Sequence, residues 1–552
     1  MILDSTEKAK PNGEMPSSIW YIIGNEAAER FNYYGLRAIL VTFMVAQFYN
    51  HSGSEDPAIV QAAEATANAK THDFVAMSYL LPLFGGMVAD WFWGKYKTIL
   101  YLSLVYALGN ILLATVGVNN EAVFTTSLML IALGAGGIKP CVSANVGDQF
   151  DKSNEHLLSK AFSYFYAAIN AGSLLSILAI PYLKSHYGPQ VAFGVPAVAM
   201  LIATAFFYAG REQYVRVAPK GDSNKAVILI SAFASLVISY LVFDKFSKNI
   251  FGDSFSGGTG PILGAWGIMI LICAFIFKKQ WFAKPGNFIG INLYALTNGG
   301  FDAAAKQYGA ETIDGIRSVW RVFSVFAFVP FFWALWDQSQ SEWVVQAGKM
   351  DLNWLGIKWE PEQISFVNAG FILAFIPFFN FLLFPTIEKM GIKVTPLRKI
   401  GAGLVLTALS FVIVAITQTW IDGLEADCLA NGTMYKNLAV TAKPNIVWQI
   451  LAFVILTAGE VLVSITCLEY AYTQAPPSMK STIMASYLLT VTIGNVLVSV
   501  IQNNIKSGGF FAQFHGAGFF WLFTGICAAT AVVFMLVSPF IKEKSYVGVG
   551  VE

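Results

Sequence analysis

The sequence predicts an all-α polytopic membrane protein with about fourteen membrane-spanning helices. Hydrophobic residues make up 56% of the 552 residues and charged residues only 12%, which is typical of a polytopic membrane protein and not of a large soluble enzyme. Apolar runs long enough to cross a bilayer also recur along the chain. These runs cover residues 19–48, 72–92, 98–117, 122–146, 160–183, 189–210, 225–243, 261–277, 317–338, 363–386, 399–420, 446–474, 481–502 and 517–541.

The apolar runs are grouped as six, two and six. Basic linkers at 211–225 and 278–317 separate the middle pair from the others, and we expect this pair to be peripheral because its apolar runs contain no ionisable residue. Two six-helix halves with a binding site at their midplane form a common plan of secondary transporters. The predicted regions are a tail at 1–18, a six-helix bundle at 19–210, a linker with two inserted helices at 211–316, a second six-helix bundle at 317–541 and a tail at 542–552.

Lysine and arginine residues favour the loops on one side of the predicted helices. They lie at Lys95 and Lys97, within 211–225, at Lys278 and Lys279, within 389–399, at Lys480, and at Lys542 and Lys544. The intervening loops are poorer in these residues. By the positive-inside rule, both termini are predicted to be cytoplasmic. We expect a multi-pass protein of the cell membrane, either the inner or the plasma membrane.

Several classes of function lack support in the sequence. The net charge of +1 gives no reason to expect a nucleic-acid partner, and the five cysteines are scattered without the paired spacing of disulfides or metal sites. No nucleotide-binding loop or nucleophile–base motif stands out, so we expect neither an enzyme nor a cofactor. No obligatory protein partner is evident beyond the surrounding membrane lipid.

Ionisable residues inside the apolar runs are the strongest functional signal. Glu26, Glu29 and Arg30 share one face of the first helix at i, i+3 and i+4, and Arg37 follows two turns later. The others are Lys139, predicted in the cytoplasmic half of the membrane, and Glu460, predicted near mid-depth. His72 and Asp337 lie near the predicted outer ends of their runs. Charges at membrane depth cost several kcal/mol each and usually mark an ion or substrate path.

The signs of these charges indicate the chemistry of a ligand. A cavity with Arg37 and Lys139 on one wall and Glu460 on the other would be dipolar and would suit a zwitterion. The carboxylates also offer proton coupling, because a buried carboxylate ionises readily only beside a cation. A proton that breaks a Glu–Lys bridge would then drive rocking between the two halves.

Six sequence motifs occur together and in one order. They are Glu26–Gly35, of the form E-x-x-E-R-F-x-Y-Y-G; His72–Leu80 with Gly85–Lys95; Gly136–Ser143 with Gly147–Phe150; Phe165–Ser173; Phe332–Gln338; and Gly459–Tyr470 with Gln474–Pro476 and Met479–Ser481. This set resembles the proton-coupled oligopeptide transporters of the major facilitator superfamily, in their bacterial form, from about residue 20 to 540. The resemblance implies the major facilitator fold, with twelve core helices in two six-helix bundles and two inserted helices.

The resemblance also implies roles for the matching residues. Proton coupling would involve Glu26, Glu29, Arg30, Lys139, His72 and Asp337, with Asp337 pairing with Arg37 to close the outer side. The peptide carboxylate would bind Arg37 and Lys139, and its amino group would bind Glu460, helped by Asn170 and Asn368. Tyr33, Tyr34, Tyr79 and Trp333 would line the cavity, and Ser464 completes the candidate substrate-binding set.

Two residues depart from the family pattern, and some of the candidates have structural alternatives. Tyr487 stands where tryptophan is common, and Asn380 replaces a carboxylate that pairs with the equivalent of Arg321 in animal members. Arg30 could simply neutralise its carboxylate neighbours, and His72 could be an ordinary interfacial histidine.

The sequence therefore predicts a symporter that imports di- and tripeptides with protons by alternating access. Two alternatives remain at this stage. The first is proton-coupled transport of another anion or zwitterion, such as nitrate or an amino acid. The second is a sensor that binds peptides without transporting them.

Overall fold

The computed structural model describes residues 14–54, 56–151, 153–219, 226–236, 239, 266–272, 276, 288–474 and 480–541. Within these residues, eleven helical segments are long and apolar enough to cross a membrane. The helix Ser18–Met44, with 27 residues, also has the length of a spanning helix, although its four charged residues lower its hydropathy. The predicted all-α membrane fold is confirmed, and the predicted fourteen helices are consistent with it.

The chain divides into two compact units, of which unit 1 comprises Met1–Leu229 and Trp359–Phe366. Its α-helices are Ser18–Met44 (α1), Pro57–Leu80 (α2), Pro82–Val88 (α3), Lys95–Thr115 (α4), Glu121–Gly147 (α5), Leu158–Tyr187 (α6) and Pro189–Ala209 (α7). Short π-helices cover Val45–Tyr49 and Ala89–Trp93, and 3₁₀-helices cover Gly117–Asn119, Glu155–Leu157 and Pro361–Ser365. The helix Ala226–Leu236 (α8) begins in unit 1 and lies within the first predicted inserted run, 225–243. Residues 266–272 lie within the second predicted inserted run, 261–277. Apart from residues 239 and 276, the remaining residues of both runs lie outside the described residues.

Unit 2 comprises Ile230–Lys358 and Val367–Glu552. The helices that lie in it or continue into it are Phe288–Thr297 (α9), Phe301–Tyr308 (α10), Ala310–Phe326 (α11), Val329–Trp336 (α12), Glu342–Gly348 (α13), Phe366–Pro377 (α14), Phe384–Lys389 (α15), Pro396–Ala430 (α16), Val447–Glu460 (α17), Thr466–Gln474 (α18), Lys480–Lys506 (α19) and Ala517–Val537 (α20). Shorter turns are π-helical at Phe378–Leu383 and Val461–Ile465, and 3₁₀ at Asp337–Gln340, Tyr435–Asn437, Val440–Ala442, Phe510–Gln513 and Ser538–Phe540. A two-stranded antiparallel hairpin, Asn353–Trp354 with Ile357–Lys358, lies in a loop of this unit.

Two membrane segments are longer than their apolar runs, so two residues predicted at the ends of those runs lie inside longer helical segments. Helix α2 begins at Pro57 rather than near residue 72, because its first turns are polar and alanine-rich and Asp56 caps them by accepting a hydrogen bond from the Ala58 N–H at 2.9 Å. His72 therefore lies within the helix and is fully buried. The segment that contains Asp337 continues to Gly348, so Asp337 is also interior and only 1% exposed.

Glycine allows the helices of unit 1 to approach closely at several points, of which two illustrate the packing. A Cβ atom on Gly172 of α6 would lie 2.3 Å from the Ala27 carbonyl oxygen of α1, and one on Gly85 would lie 2.4 Å from the Gly137 Cα of α5. Small residues at helix interfaces are typical of membrane bundles, since they let backbones pack together. These contacts bring α1 and α5, which carry most of the predicted charges of this unit, into fixed positions.

Candidate functional site

The charge cluster of α1 forms as its spacing predicts. The Arg30 Nε atom lies 2.6 Å from Glu26 Oε1 and 3.0 Å from Glu29 Oε2. Both carboxylates are buried, and the Arg30 side chain is 12% exposed. One guanidinium therefore serves two carboxylates, and the three groups together carry one excess negative charge when all are ionised.

Lys139 of α5 is held by aromatic rings. Its Nζ atom lies 3.9 Å from the centre of the Tyr33 ring and 4.4 Å from that of Tyr79. Among the described residues, Nζ makes no hydrogen bond and no ion pair with a carboxylate. The Glu–Lys bridge expected from the sequence is therefore open in this structure, and cation–π attraction stabilises the ammonium group in its place.

The other predicted residues of unit 1 lie on α1, α2 and α6. Arg37 is 1% exposed, and the ring of Tyr34 meets the ring of Tyr33 edge-on with 5.5 Å between their centres. His72 lies on α2, the helix that also carries Tyr79. Asn170 donates its amide N–H to the Tyr166 carbonyl oxygen of its own helix at 2.8 Å.

In unit 2, Glu460 accepts hydrogen bonds from two uncharged donors. Its Oε2 atom lies 2.7 Å from Asn368 Nδ2 and 2.8 Å from Trp336 Nε1. Asn368 also donates to Thr457 Oγ1 at 3.0 Å. Glu460 ends α17, where the chain turns into the π-helical segment Val461–Ile465, a distortion that often marks functional sites. The structure thus brings Asn368 to Glu460 as predicted.

Sequence reasoning missed Trp336 as a ligand of Glu460 and Asn495 as a ligand of Asp337. Asn495 Nδ2 lies 2.6 Å from Asp337 Oδ2. The i, i+3, i+4 spacing of Trp333, Trp336 and Asp337 was a usable signal for Trp336, because it puts all three side chains on one helix face. Asn495 gave no such signal, since an amide within an apolar run is unremarkable.

Tyr487, which departs from the family pattern, contacts Ser464, a predicted substrate-binding residue. The Tyr487 hydroxyl donates to Ser464 Oγ at 3.2 Å, and its ring centre lies 6.3 Å from that of Trp333. The hydroxyl that Tyr487 brings is therefore bound to Ser464 in this conformation. The other departure, Asn380, replaces the carboxylate that pairs with the equivalent of Arg321 in animal members, and Arg321 here faces Asp314 of its own helix at 3.6 Å.

A partly buried ion pair in unit 1 was also missed. Glu362 is 2% exposed, forms a salt bridge with Lys184 of α6 and accepts a hydrogen bond from Thr42 Oγ1 of α1 at 2.5 Å. Lys184 and Glu362 each lie one residue beyond an apolar run predicted from the sequence, 160–183 and 363–386. A search confined to those runs could not find them.

No group of three or more His, Cys, Asp or Glu side chains is arranged to hold a metal ion in the described part of the chain. The structure instead presents one ionisable group in each helical unit that is held by neutral side chains. In unit 1, the Lys139 ammonium group lies against two aromatic rings. In unit 2, the Glu460 carboxylate accepts hydrogen bonds from two neutral donors. A helical membrane fold with buried charges of both signs is what the predicted class, a membrane protein of the major facilitator type, requires.

Comparisons with known proteins agree with this class. A family model described as PTR2, POT family, matches residues 96–514, and the chain therefore belongs to the POT family. It is 35% identical over 426 residues to peptide transporter family 1 of Drosophila melanogaster, covering 75% of this chain and 49% of that protein. It is 34% identical over 431 residues to human solute carrier family 15 member 1, covering 74% of this chain and 52% of that protein.

Among solved structures, the crystal structure of the POT family transporter PepTSo is similar to this chain with a TM-score of 0.76 and 34% identity, covering 96% of this chain and 99% of that one. The chain spans about half the length of the curated relatives that it matches. The matched proteins are transporters by name, in agreement with the prediction that this chain is not an enzyme. As a member of this family with eleven apolar helices in its described part, it is an integral membrane protein.

Proposed function

We propose that the protein is a proton-coupled symporter that imports di- and tripeptides across the cell membrane, with both termini in the cytoplasm. The observation that carries the proposal is the contrast between Lys139 and Glu460. Lys139 has an ammonium group with no anionic partner among the described residues, and Glu460 is held by neutral donors. A short peptide in water carries one group complementary to each.

In this proposal, the peptide carboxylate binds Lys139 and Arg37, and its amino group binds Glu460. An anion near Lys139 would add charge-assisted hydrogen bonds, which contribute about 1.5–3 kcal/mol each. The aromatic contacts of Lys139 would remain, because an ammonium group can lie against a ring face and still donate hydrogen bonds in other directions. Selectivity would then rest on the charged ends of the peptide, with little demand on its side chains.

Protons would enter through the cluster of Glu26, Glu29 and Arg30. One guanidinium cannot fully compensate two buried carboxylates, so one of the two is the natural site for a proton. Loss of that proton would leave a carboxylate able to pair with Lys139. Such a bridge would compete with the peptide carboxylate for the Lys139 ammonium group. This competition would couple proton release to peptide release.

The test is uptake of labelled dialanine into proteoliposomes with an imposed inward proton gradient. The parent should accumulate dialanine. Glu26→Gln should lose gradient-driven accumulation by about tenfold or more while retaining counterflow exchange, because exchange needs no net proton movement. Glu121→Gln is the control, since it removes an exposed carboxylate that pairs with Lys70. Accumulation of alanine or nitrate in place of dialanine would overturn the proposal, as would normal accumulation by Glu26→Gln.

Arg37→Ala tests the carboxylate site separately. We expect it to weaken dialanine binding by about tenfold or more, the equivalent of one charge-assisted hydrogen bond. Unchanged binding by this variant would remove Arg37 from the site and leave Lys139 as its cation.

A further inference from the structure

One face of α11 lines an open groove in unit 2. Arg317, Trp320, Arg321 and Ser324 occupy positions i, i+3, i+4 and i+7 and therefore share that face. Ile313 and Ile316 of the same helix are buried against α9 and α10 instead. The groove has a volume of about 420 Å³, and Phe301, Phe540 and Ile541 form its other walls.

The two arginines retain most of their hydrogen-bond donors. Arg317 Nη2 lies 2.9 Å from Asp302 Oδ1, in a pair whose side chains are 48% and 94% exposed. Arg321 donates from Nη1 to Ser318 Oγ at 3.4 Å, and its nearest carboxylate, Asp314, is 3.6 Å away. Each guanidinium has five N–H donors in a planar fork, and the exposed pair of Arg317 with Asp302 is weak. An anion with several oxygens can therefore bind both groups.

The walls of the groove suit a membrane amphiphile. Trp320 is 48% exposed, and its indole N–H donates to Asn292 Oδ1 at 2.8 Å, which fixes the ring. Phe540, at the end of the last spanning segment, is 83% exposed. Tryptophan and arginine are typical of helix ends at the membrane surface. The predicted topology puts this end of α11 on the cytoplasmic side, where anionic lipids attract basic residues.

We propose that this groove binds the headgroup of an anionic glycerophospholipid. Arg317 and Arg321 bind the phosphate oxygens by bidentate hydrogen bonds, which the guanidinium fork favours over a point charge. The acyl chains lie along Trp320 and Phe540. The inference is independent of the transported substrate, because none of these residues belongs to the proposed peptide or proton sites.

Native mass spectrometry of the purified protein, titrated with phosphatidylglycerol or phosphatidylcholine in detergent, tests the site. The parent should bind phosphatidylglycerol in preference to phosphatidylcholine. The double variant Arg317→Gln/Arg321→Gln should bind phosphatidylglycerol at least fivefold more weakly. Arg211→Gln/Arg398→Gln is the matched control, because it removes two arginines predicted on the same side but outside the groove. A loss below fivefold, or an equal loss in the control, would overturn the proposal.

Two further measurements keep the result interpretable. Glycerol 3-phosphate at the same concentration should not displace the lipid, and displacement would show that the site recognises a soluble phosphate rather than a lipid. Thermal unfolding checks that the double variant is folded. If it is not, Arg317→Gln alone, at a half-exposed position, should still weaken binding at least twofold, and a smaller effect contradicts the site.

Discussion

At the scale of single residues, the buried charges are stabilised in three different ways. Arg30 is shared by two carboxylates, Lys139 lies between two aromatic rings, and Glu460 accepts from an amide and an indole. Only the first is an ion pair. A fixed pair resists change, because removing one partner costs about 3–5 kcal/mol. Lys139 and Glu460, whose direct contacts are with neutral groups, are best suited to exchange partners.

Tyr33 should contribute to stability through its ring rather than through its hydroxyl. Its ring is buried 3.9 Å from the Lys139 ammonium group, and a desolvated cation–π contact contributes about 2 kcal/mol. We expect Tyr33→Leu to lower the midpoint of thermal unfolding in detergent by several degrees and Tyr33→Phe to retain most of the parent stability. Equal losses in the two variants would show that the hydroxyl is the stabilising group.

At the scale of elements, close helix packing decides where the charged residues of α1 lie. Gly172 is in contact with the α1 backbone beside Glu26, and no larger residue fits there. Gly194 of α7 has no atom within 4 Å of the position of an added Cβ. The two glycines are therefore a matched pair, one required for packing and one not.

Gly172→Ala should reduce the yield of folded protein and its thermal stability, because the new Cβ would lie 2.3 Å from the Ala27 carbonyl oxygen and would force α6 away from α1. Overpacking of this kind costs about 1–3 kcal/mol. Gly194→Ala should be neutral or slightly stabilising, since alanine is the better helix former. Size-exclusion chromatography and thermal unfolding compare the two, and a Gly172→Ala protein as stable as the parent would refute the close contact.

A loop contact in unit 2 gives a pH-dependent prediction. Burial alone would raise the pKa of Asp351, but hydrogen bonds from the Asn353 backbone and side chain and from Asn445 lower it below its ordinary value of 3.8. A carboxylate whose pKa is lower in the folded state stabilises the fold above its unfolded-state pKa, and this stabilisation is lost as the pH falls through the folded-state pKa.

Asp351→Asn should therefore lower the thermal unfolding midpoint at pH 7, and its difference from the parent should shrink as the pH falls below about 4. Asp427→Asn, at an exposed position in the last turns of α16, is the control and should have little effect at any pH. A difference between Asp351→Asn and the parent that stays constant with pH would mean that the charge of Asp351 is not the stabilising feature.

At the scale of the whole molecule, the chain returns to unit 1 at Trp359–Phe366 after it has entered unit 2. The partly buried pair of Lys184 and Glu362 holds this segment, and Gln363 adds a hydrogen bond from its side-chain amide to the Leu178 carbonyl oxygen at 2.8 Å. Any movement that detaches the segment from unit 1 must break this pair.

Glu362→Gln should increase hydrogen exchange of residues 359–366 by about tenfold, because Glu362 is buried and its charge-assisted hydrogen bonds contribute about 1.5–3 kcal/mol each. Glu121→Gln breaks an exposed pair with Lys70, which contributes at most about 1 kcal/mol, and it should leave that exchange unchanged. Equal exchange in the Glu362 variant and the parent would show that other contacts hold the segment.

The predicted fold class and the charged helix were accessible from the sequence because both depend on local composition. A run of apolar residues identifies a spanning helix, and the helical period places Glu26, Glu29 and Arg30 on one face. The ends of the helices were less accessible. Polar, alanine-rich turns such as those after Pro57 continue a helix without raising its hydropathy, so the apolar run places His72 at the end of a helix that in fact begins 15 residues earlier.

The sequence by itself determined that this is a helical membrane protein with buried charges of both signs, since apolar length and helical period suffice for that. Only the tertiary structure decided what each charge contacts. The rings around Lys139, the indole and amide on Glu460, and the pairing of Glu362 with Lys184 all join residues far apart in the chain. Such contacts depend on how helices pack at points like Gly172, and packing is a property of the folded bundle rather than of any one segment.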